Sequence, residues 1–357
     1  MLTGINFFPT MRPAAKSAAD YYHEAVELSV LAEQSGYSHI RLVEHYFRAY
    51  GGYSPSPLLH LAAIAARTSK IKLVTGAVIP AFTHPLKLAG ELAMLDHLSQ
   101  GRLEAGFARA FLPEEFDAFE VSLDESRQRF EEGITAVKRL WTENDVVFEG
   151  KYHHFGPLTM LPQPYQKPYP PIFIAAVNTP ESFVWTGQQG YNLMVVAHMN
   201  DYELLQKNLN AYRKAYEEAG HGAGGGRVQI TFHAYLAEDG ATARREAEVY
   251  LDQYVEVFKE SAAAWNNRYS DQYKGCVGLV QHAEAVTYER VLAETRAFIG
   301  DPVEVIDQIK LARRLFGEVE LSLQIGFGNM PYANSLRTLE LYARHVMPAL
   351  EPSLSKS

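Results

Sequence analysis

Short apolar runs alternate with longer amphipathic stretches along most of the chain. In "HIRLVEH", Ile40, Leu42 and Val43 are β-formers set in a run with little polar alternation, the pattern of a strand covered on both faces. Similar runs occur at "LTGINFF", "IKLVTGAVI" and "RLEAGFAR". Between them, helical periodicity covers roughly Asp20 to Ser35, Ser56 to Thr68 and Pro85 to Leu98. The alternation resumes with "PIFIAAV", a helix from about Pro180, "NLMVVA", a helix from Asp201, "VQITFHAYLA", a helix near Gly240 to Glu260, and "LSLQIGF" before a final helix. Repeated βα units require a parallel sheet, because each crossover helix returns the chain to the same edge, and eight such units can close on themselves. The expected fold is therefore α/β, a (β/α)8 TIM barrel formed by residues 1–357 as one domain; a doubly wound open sheet is the alternative with the same element order.

Helix boundaries carry their own chemistry. Ser122 and Glu125 have the spacing of a capping box, Thr179-Pro180 reads as an N-cap followed by the first helical residue, and Asp301-Pro302 repeats that device. His84, before Pro85, reads as a helix-entry residue. Two excursions exceed ordinary connections and are expected at the face where the strands end. Residues 144–171 are too rich in proline for a continuous helix, and residues 261–290 gather aromatic and polar residues around Cys276. Either is long enough to cover a site or simply to pack on the surface. The "GHGAGGGR" stretch lacks the lysine and hydroxyl residue of a phosphate loop and reads as a flexible connection.

Composition narrows the class. The chain is 47% hydrophobic and 21% charged, the make-up of a globular protein with a substantial core. Its formal net charge of −9 argues against general binding to nucleic acid or an anionic membrane, so an anionic ligand requires a specific arginine. The one cysteine, Cys276, excludes an intramolecular disulfide and a multi-cysteine metal site, and fits a cytoplasmic location. No basic segment followed by a long apolar region opens the chain, and no run approaches the roughly 18 apolar residues of a membrane span.

In a barrel the strand C-termini share one face, and residues distant in sequence meet there. This explains why the apolar run at Ile40 ends in the polar pair Glu44-His45: His45 is placed at the mouth, with Glu44 beside it to orient the ring or to fix a local turn. The fourth strand ends similarly in "GFARAFLPEEF", where Arg109 can hold a phosphate or form a surface ion pair. After the fifth strand, "AAVNTPES" sets Asn178, Thr179 and Ser182 near a helix N-terminus, whose free N–H groups favour an anion. Together these features point to phosphate binding. Gly76 and Ala77 leave little bulk after the third strand, admitting either a flat ring or tight barrel packing. His233 lies on one face of the seventh strand, equally suited to catalysis or to the core. His153 and His154 are adjacent without a convincing third ligand, a poor zinc motif.

These segments resemble the bacterial-luciferase-like, flavin-dependent monooxygenases. The resemblance is densest from "LVEHYF" through "TGAVIPAFTHP", "LAMLDHLSQGRLEAGFARAF" and "DESRQRFEEG", and resumes in "PYPPIFIAAVNTPESFVWTGQQG" and "FIGDPVEVIDQI". It implies a (β/α)8 fold, reduced FMN (FMNH2) supplied by a separate NAD(P)H:flavin reductase, O2 as co-substrate activated as a flavin 4a-hydroperoxide, and a homodimer formed through barrel helices. By resemblance, His45 is the active-site histidine, Arg109 the phosphate-binding arginine, and Thr179 and Ser182 lie on the turn holding the same phosphate. Gly76 and Ala77 match a segment that lies against the isoalloxazine and can contain a non-prolyl cis peptide.

His233 matches an active-site histidine of the alkanesulfonate monooxygenases, but the sulfonate-binding arginine is replaced by Thr231 and a tyrosine by Phe327. Tyr46 stands for the second luciferase histidine and Ala108 for its flavin-proximal cysteine. Alkanesulfonates, light emission and long-chain aldehydes are thereby disfavoured. The expected substrate is a small or medium organic molecule, in a pocket built with Phe8, Tyr46, Phe47, Phe111 and Phe327. Two alternatives remain at this stage: deazaflavin-dependent hydride transfer on the same scaffold, and a non-catalytic flavin-binding partner subunit.

Overall fold

The computed structural model describes residues 1–197, 201–276 and 279–350. Among these the strands, in chain order, are β1 (Thr3–Phe7), β2 (His39–Leu42), β3 (Lys72–Thr75), β4 (Leu103–Phe107), β5 (Val146–Glu149), β6 (His154–Leu158), β7 (Ile172–Ala175), β8 (Asn192–Val196), β9 (Val228–Leu236), β10 (Ala297–Gly300) and β11 (Glu320–Gln324). β1, β2, β3, β4, β7, β8, β9 and β11 pair in parallel, and the β8–β9 pairing closes them into a barrel. These are the eight strands expected from the apolar runs. The open-sheet alternative fails because β8 hydrogen-bonds to β9 with Leu193 opposite Val228 and Val196 opposite Thr231.

The barrel strands β1, β2, β4, β9 and β11 are buried at every position, as expected for strands covered outside by helices and inside by one another. Close packing dictates one residue type: a Cβ at Gly106 would stand 2.0 Å from the carbonyl oxygen of Thr75, whose hydroxyl bonds both the N–H and the C=O of Gly106. The predicted helices are present, including Ala18–Gln34, Pro57–Ala65, Pro85–Leu98, Pro180–Gln188, Tyr202–Glu218 and Gly240–Ala262.

Capping is mixed. Asp301 forms a full capping box with Glu304, and His84 Nδ1 accepts from Leu86 N–H at 3.2 Å. Ser122 instead caps the 3-10 turn Leu123–Glu125 through Asp124 N–H, while the Glu125 carboxylate pairs with Arg129 at 2.9 Å. The expected reciprocal box does not form there because Glu125 is drawn forward along its helix. Thr179 precedes Pro180 as expected, but its side chain makes no capping bond.

The sequence pattern omits two features. Within 144–171, β5 and β6 form an antiparallel hairpin, anchored by Glu132, which accepts from the N–H groups of Lys151, Tyr152 and His153. β10 adds to the C-terminal half of β9, Ala297 facing His233 and Gly300 facing Leu236.

The end of the barrel opposite the mouth is closed by charge. Arg227 donates to Glu104 at 2.6 Å and to Glu320 at 2.5 Å, and Gln229 bonds both carboxylates. Glu104 is 2% exposed, and that burial raises its pKa even with Arg227 opposing. Arg227→Met strands two carboxylates without their cation and is expected to cost about 3 kcal/mol. Urea unfolding of the variant measures this; an unchanged midpoint would contradict the network's role.

Candidate active site

The ends of β2, β3, β4 and β7 surround a cavity of about 250 Å³. Beyond β2 it is lined by Glu44 and His45, beyond β3 by Gly76 and Ala77, beyond β4 by Arg109 and Phe111, and beyond β7 by Asn178, Thr179 and Ser182. The parallel barrel thus brings together residues more than 130 positions apart. The excursion at 261–290 forms part of the wall through Gln272, Tyr273, Cys276 and Leu279; its residues 277–278 lie outside the described residues. Trp265 Nε1 donates to the Phe111 carbonyl at 3.0 Å and Tyr273 Oη to that of Ala110 at 3.0 Å, tying the excursion to the loop after β4. The β5–β6 hairpin contributes nothing to the lining.

His45 is held by a residue absent from the sequence expectation. Its Nδ1 lies 3.0 Å from Glu115 Oε1, and the same oxygen accepts from the N–H of Tyr46 at 2.9 Å. Glu115 is 1% exposed, on the short helix Pro113–Ala118. A carboxylate accepting at Nδ1 places a proton on that nitrogen, so in the neutral tautomer the lone pair is at Nε2. Phe8, Tyr50 and Phe111 surround the imidazole with ring centroids at 5.3, 5.5 and 5.8 Å. Of the two roles open to Glu44, the structure shows the local turn: its carboxyl accepts from Tyr46 Oη at 2.6 Å and from Ile79 N–H at 3.3 Å. Burial pushes the Glu44 carboxyl up to about 8, against the pull of those two donors, so it is largely protonated at neutral pH.

A second cluster is cationic. Arg109 Nη2 donates to Ser126 Oγ at 3.2 Å and to the Gln272 carbonyl at 2.9 Å, its guanidinium sits 4.6 Å from the centre of the Tyr273 ring, and its buried Nε has no partner. Among the described residues no carboxylate lies within 4 Å of it, which excludes the surface ion pair. Arg127 points its Nη2 at Ser182 Oγ, 3.5 Å away. Burial first, and then the charge of Arg109, lower the Arg127 pKa, the mark of two like charges sharing a site. Beside them, the Thr179 hydroxyl is free of capping duty, and the Asn178 carbonyl accepts from Asn208 Nδ2 at 3.3 Å, fixing the turn. Two guanidiniums, hydroxyls and a helix N-terminus form a set that fits a phosphate.

The Gly76–Ala77 peptide is cis. A Cβ at Gly76 would collide with Arg41, 2.2 Å from its Nε, so the missing side chain makes room for that arginine.

Phe8 and Phe111 line the cavity as expected, but four predicted residues do not. Tyr46 gives its hydroxyl to Glu44 and packs on Phe119 at 4.8 Å. Phe47 has a φ of 67° and is 64% exposed, because the turn swings it outward. Phe327 is fully buried against His233 at 4.7 Å, and His233 packs on Tyr254 at 4.5 Å, both behind the cavity wall. Glu115, Arg127 and Arg41 were missed. "PEEF" and "RQRFEEG" look like solvated helix faces, and nothing local marks which of their charges turns inward.

Comparisons with known proteins identify the family. A sequence model of the luciferase-like monooxygenase family matches residues 1–318. The oxygenase component of flavin-dependent trigonelline monooxygenase from Acinetobacter baylyi is 31% identical over 340 residues, covering 93% of this chain and 91% of that protein. The crystal structure of monooxygenase RslO1 from Streptomyces bottropensis is 46% identical with a TM-score of 0.87, covering 98% and 100% of the two chains. The oxygenating constituent of 3,6-diketocamphane monooxygenase from Pseudomonas putida, solved with FMN, shares the fold at a TM-score of 0.80 and 20% identity, covering 98% of each chain. Over nearly its whole length, then, the chain belongs to the luciferase-like monooxygenase family, an enzyme family whose relatives include flavin-dependent oxygenase components.

Proposed function

We propose that the protein is the oxygenase component of a two-component flavin-dependent monooxygenase, taking FMNH2 from a separate NAD(P)H:flavin reductase and placing one oxygen atom of O2 on a small or medium organic substrate. The observation that carries this reading is the meeting, around one cavity, of the His45–Glu115 pair and Arg109, a guanidinium with no carboxylate within 4 Å among the described residues. Family membership supports it.

The residues present fit FMN. Arg109 and Arg127, with the turn at Asn178, Thr179 and Ser182, would hold the phosphate; Gly76 and Ala77 offer a surface with little side-chain bulk to a flat ring. When bound, reduced FMN supplies the two electrons by which one atom of O2 reaches the substrate and the other leaves as water. The chain's own work is to position and to move protons. His45 Nε2 takes or returns a proton in the cavity, and Glu115 steadies the ring in that tautomer and stabilises the imidazolium while it lasts. Phe8, Tyr50 and Phe111 keep bulk water from the imidazole, lengthening the time available for transfer. Glu44, neutral and hydrogen-bonded to the Ile79 N–H, joins the ends of β2 and β3 without adding charge beside His45. The working form is a cytoplasmic homodimer.

The reading is tested by mixing protein and pre-reduced FMN with oxygenated buffer. Oxygen uptake should precede the return of oxidised-flavin absorbance, which free FMNH2 does not show. Failure to bind FMN, or anaerobic turnover with a deazaflavin, would overturn the assignment. His45→Ala should lower substrate oxygenation about 100-fold while leaving FMN affinity within about twofold. Arg109→Ala should weaken FMN binding at least about tenfold, as expected for the loss of a charge-assisted contact.

Glu44 generates a pH prediction. Its folded pKa of about 8 lies above the ordinary 4.5, so the unfolded chain releases its proton first and gains on the folded state as pH rises between those values. Wild type should lose stability across that window relative to Glu44→Gln, and parallel denaturation midpoints from pH 5 to 8 would refute the burial argument.

A further inference from the structure

Three arginines are buried among the described residues, and the structure accounts for two of them. Arg296 pairs with Glu294 at 2.5 Å. Arg102 donates to Ser99, Thr68, Ile71 and Ala65 through side-chain bonds of 2.8 to 3.1 Å, four of its five acceptors being backbone carbonyls. Arg41, on β2, is different. It is 4% exposed and lines the cavity, yet it makes one hydrogen bond, from Nη1 to Thr231 Oγ1 at 2.8 Å. Its Nε has no partner, and among the described residues no carboxylate lies within 4 Å of the guanidinium.

A buried cation without a counter-ion is costly, and it persists where something else recovers that cost. Burial alone pulls the Arg41 pKa down to about 10, still well above neutrality, so the group remains charged. Its neighbours do not discharge it. His39 is held at about 3 by burial and by the charges of Arg41 and Arg227, and so stays neutral. The side chains around it in the cavity, Asn6, Thr231 and Gln324, are uncharged. Asn6 Nδ2 makes only a long contact to Gln324 Oε1 at 3.4 Å, and Asn6 Oδ1 has no partner. This polar floor has spare hydrogen-bonding capacity around one unmatched positive charge, and it is built from β1, β2, β9 and β11, whereas the phosphate-type cluster is built after β4 and β7.

We propose that Arg41 determines specificity by binding an anionic oxygen of the organic substrate, a carboxylate or a phenolate, with Asn6 and Thr231 completing the contact. This rests on the reading of the cavity as an oxygenase site and names the substrate class it takes. A guanidinium matches two coplanar anionic oxygens and penalises a neutral ligand, which leaves the charge unpaired. The edge of an anionic reduced flavin is a second source of the same chemistry, and the experiment separates the two.

Sodium benzoate and neutral benzamide are titrated calorimetrically into wild type, Arg41→Met and Arg41→Lys, with and without FMN. Wild type should bind benzoate saturably and at least about tenfold more tightly than benzamide; Arg41→Met should abolish that preference, and Arg41→Lys should keep part of it. The wild-type comparison needs no variant to fold, and circular dichroism confirms the fold of the others. Equal affinity of wild type for both probes, or an unchanged benzoate affinity in Arg41→Met, overturns the proposal. So does a variant that loses affinity for photoreduced FMN while retaining benzoate, because the cation then serves the cofactor. Failure of the oxygenase reading would show separately, as absence of FMN binding by wild type.

Discussion

The closing of β8 onto β9 is the constraint on which the remaining architecture depends. Parallel strands joined through outer helices all end at the same rim, and closure turns that rim into a ring. His45, Gly76, Arg109 and Thr179 are each ordinary loop residues in sequence; on the ring they face a common space. The loops need little structure of their own, because each is anchored on a largely buried strand. Cross-ties do the fine positioning: Glu115 fixes the imidazole, Glu44 joins the ends of β2 and β3, and Trp265 and Tyr273 lock the 261–290 excursion against the loop after β4.

The placement of charge separates support from function. At the closed end of the barrel, Arg227, Glu104, Glu320 and Gln229 satisfy one another. At the open end, Arg109 and Arg41 have no carboxylate within 4 Å among the described residues, and Arg127, beside Arg109, has Glu131 at 3.7 Å. Stability favours the first arrangement, and the second is the kind that the proposed anion binding would use. The polar floor at Arg41 and the phosphate-type cluster arise from different strands.

Much of the fold was legible because barrel strands leave an unmistakable trace: apolar runs of strand length, punctuated by glycine, proline and capping residues, between helical periods. What the pattern missed follows from its own physics. The β5–β6 hairpin has an exposed face and a proline in its second strand, so its hydrophobic signal is weak. In the site, residues directly following strands were placed correctly at the rim, since register carries them there. Orientation within a loop was not legible: Glu44 was the neighbour expected to steer His45, but alternation along the chain points adjacent side chains apart, and Glu115, seventy positions on, does so. For the same reason Phe47 turned to the surface and Phe327 into the core. Arg41 read as one polar position in an apolar strand; only burial without a counter-ion reveals it.

A crystal structure of the protein grown with FMN tests the central claim most directly, because it locates the phosphate and the ring together. The account predicts phosphate oxygens within hydrogen-bond reach of Arg109, Thr179 and Ser182, and the isoalloxazine against Gly76–Ala77 within the cavity that His45 borders. Flavin bound outside this cavity, or with its phosphate seated on Arg41, would contradict it.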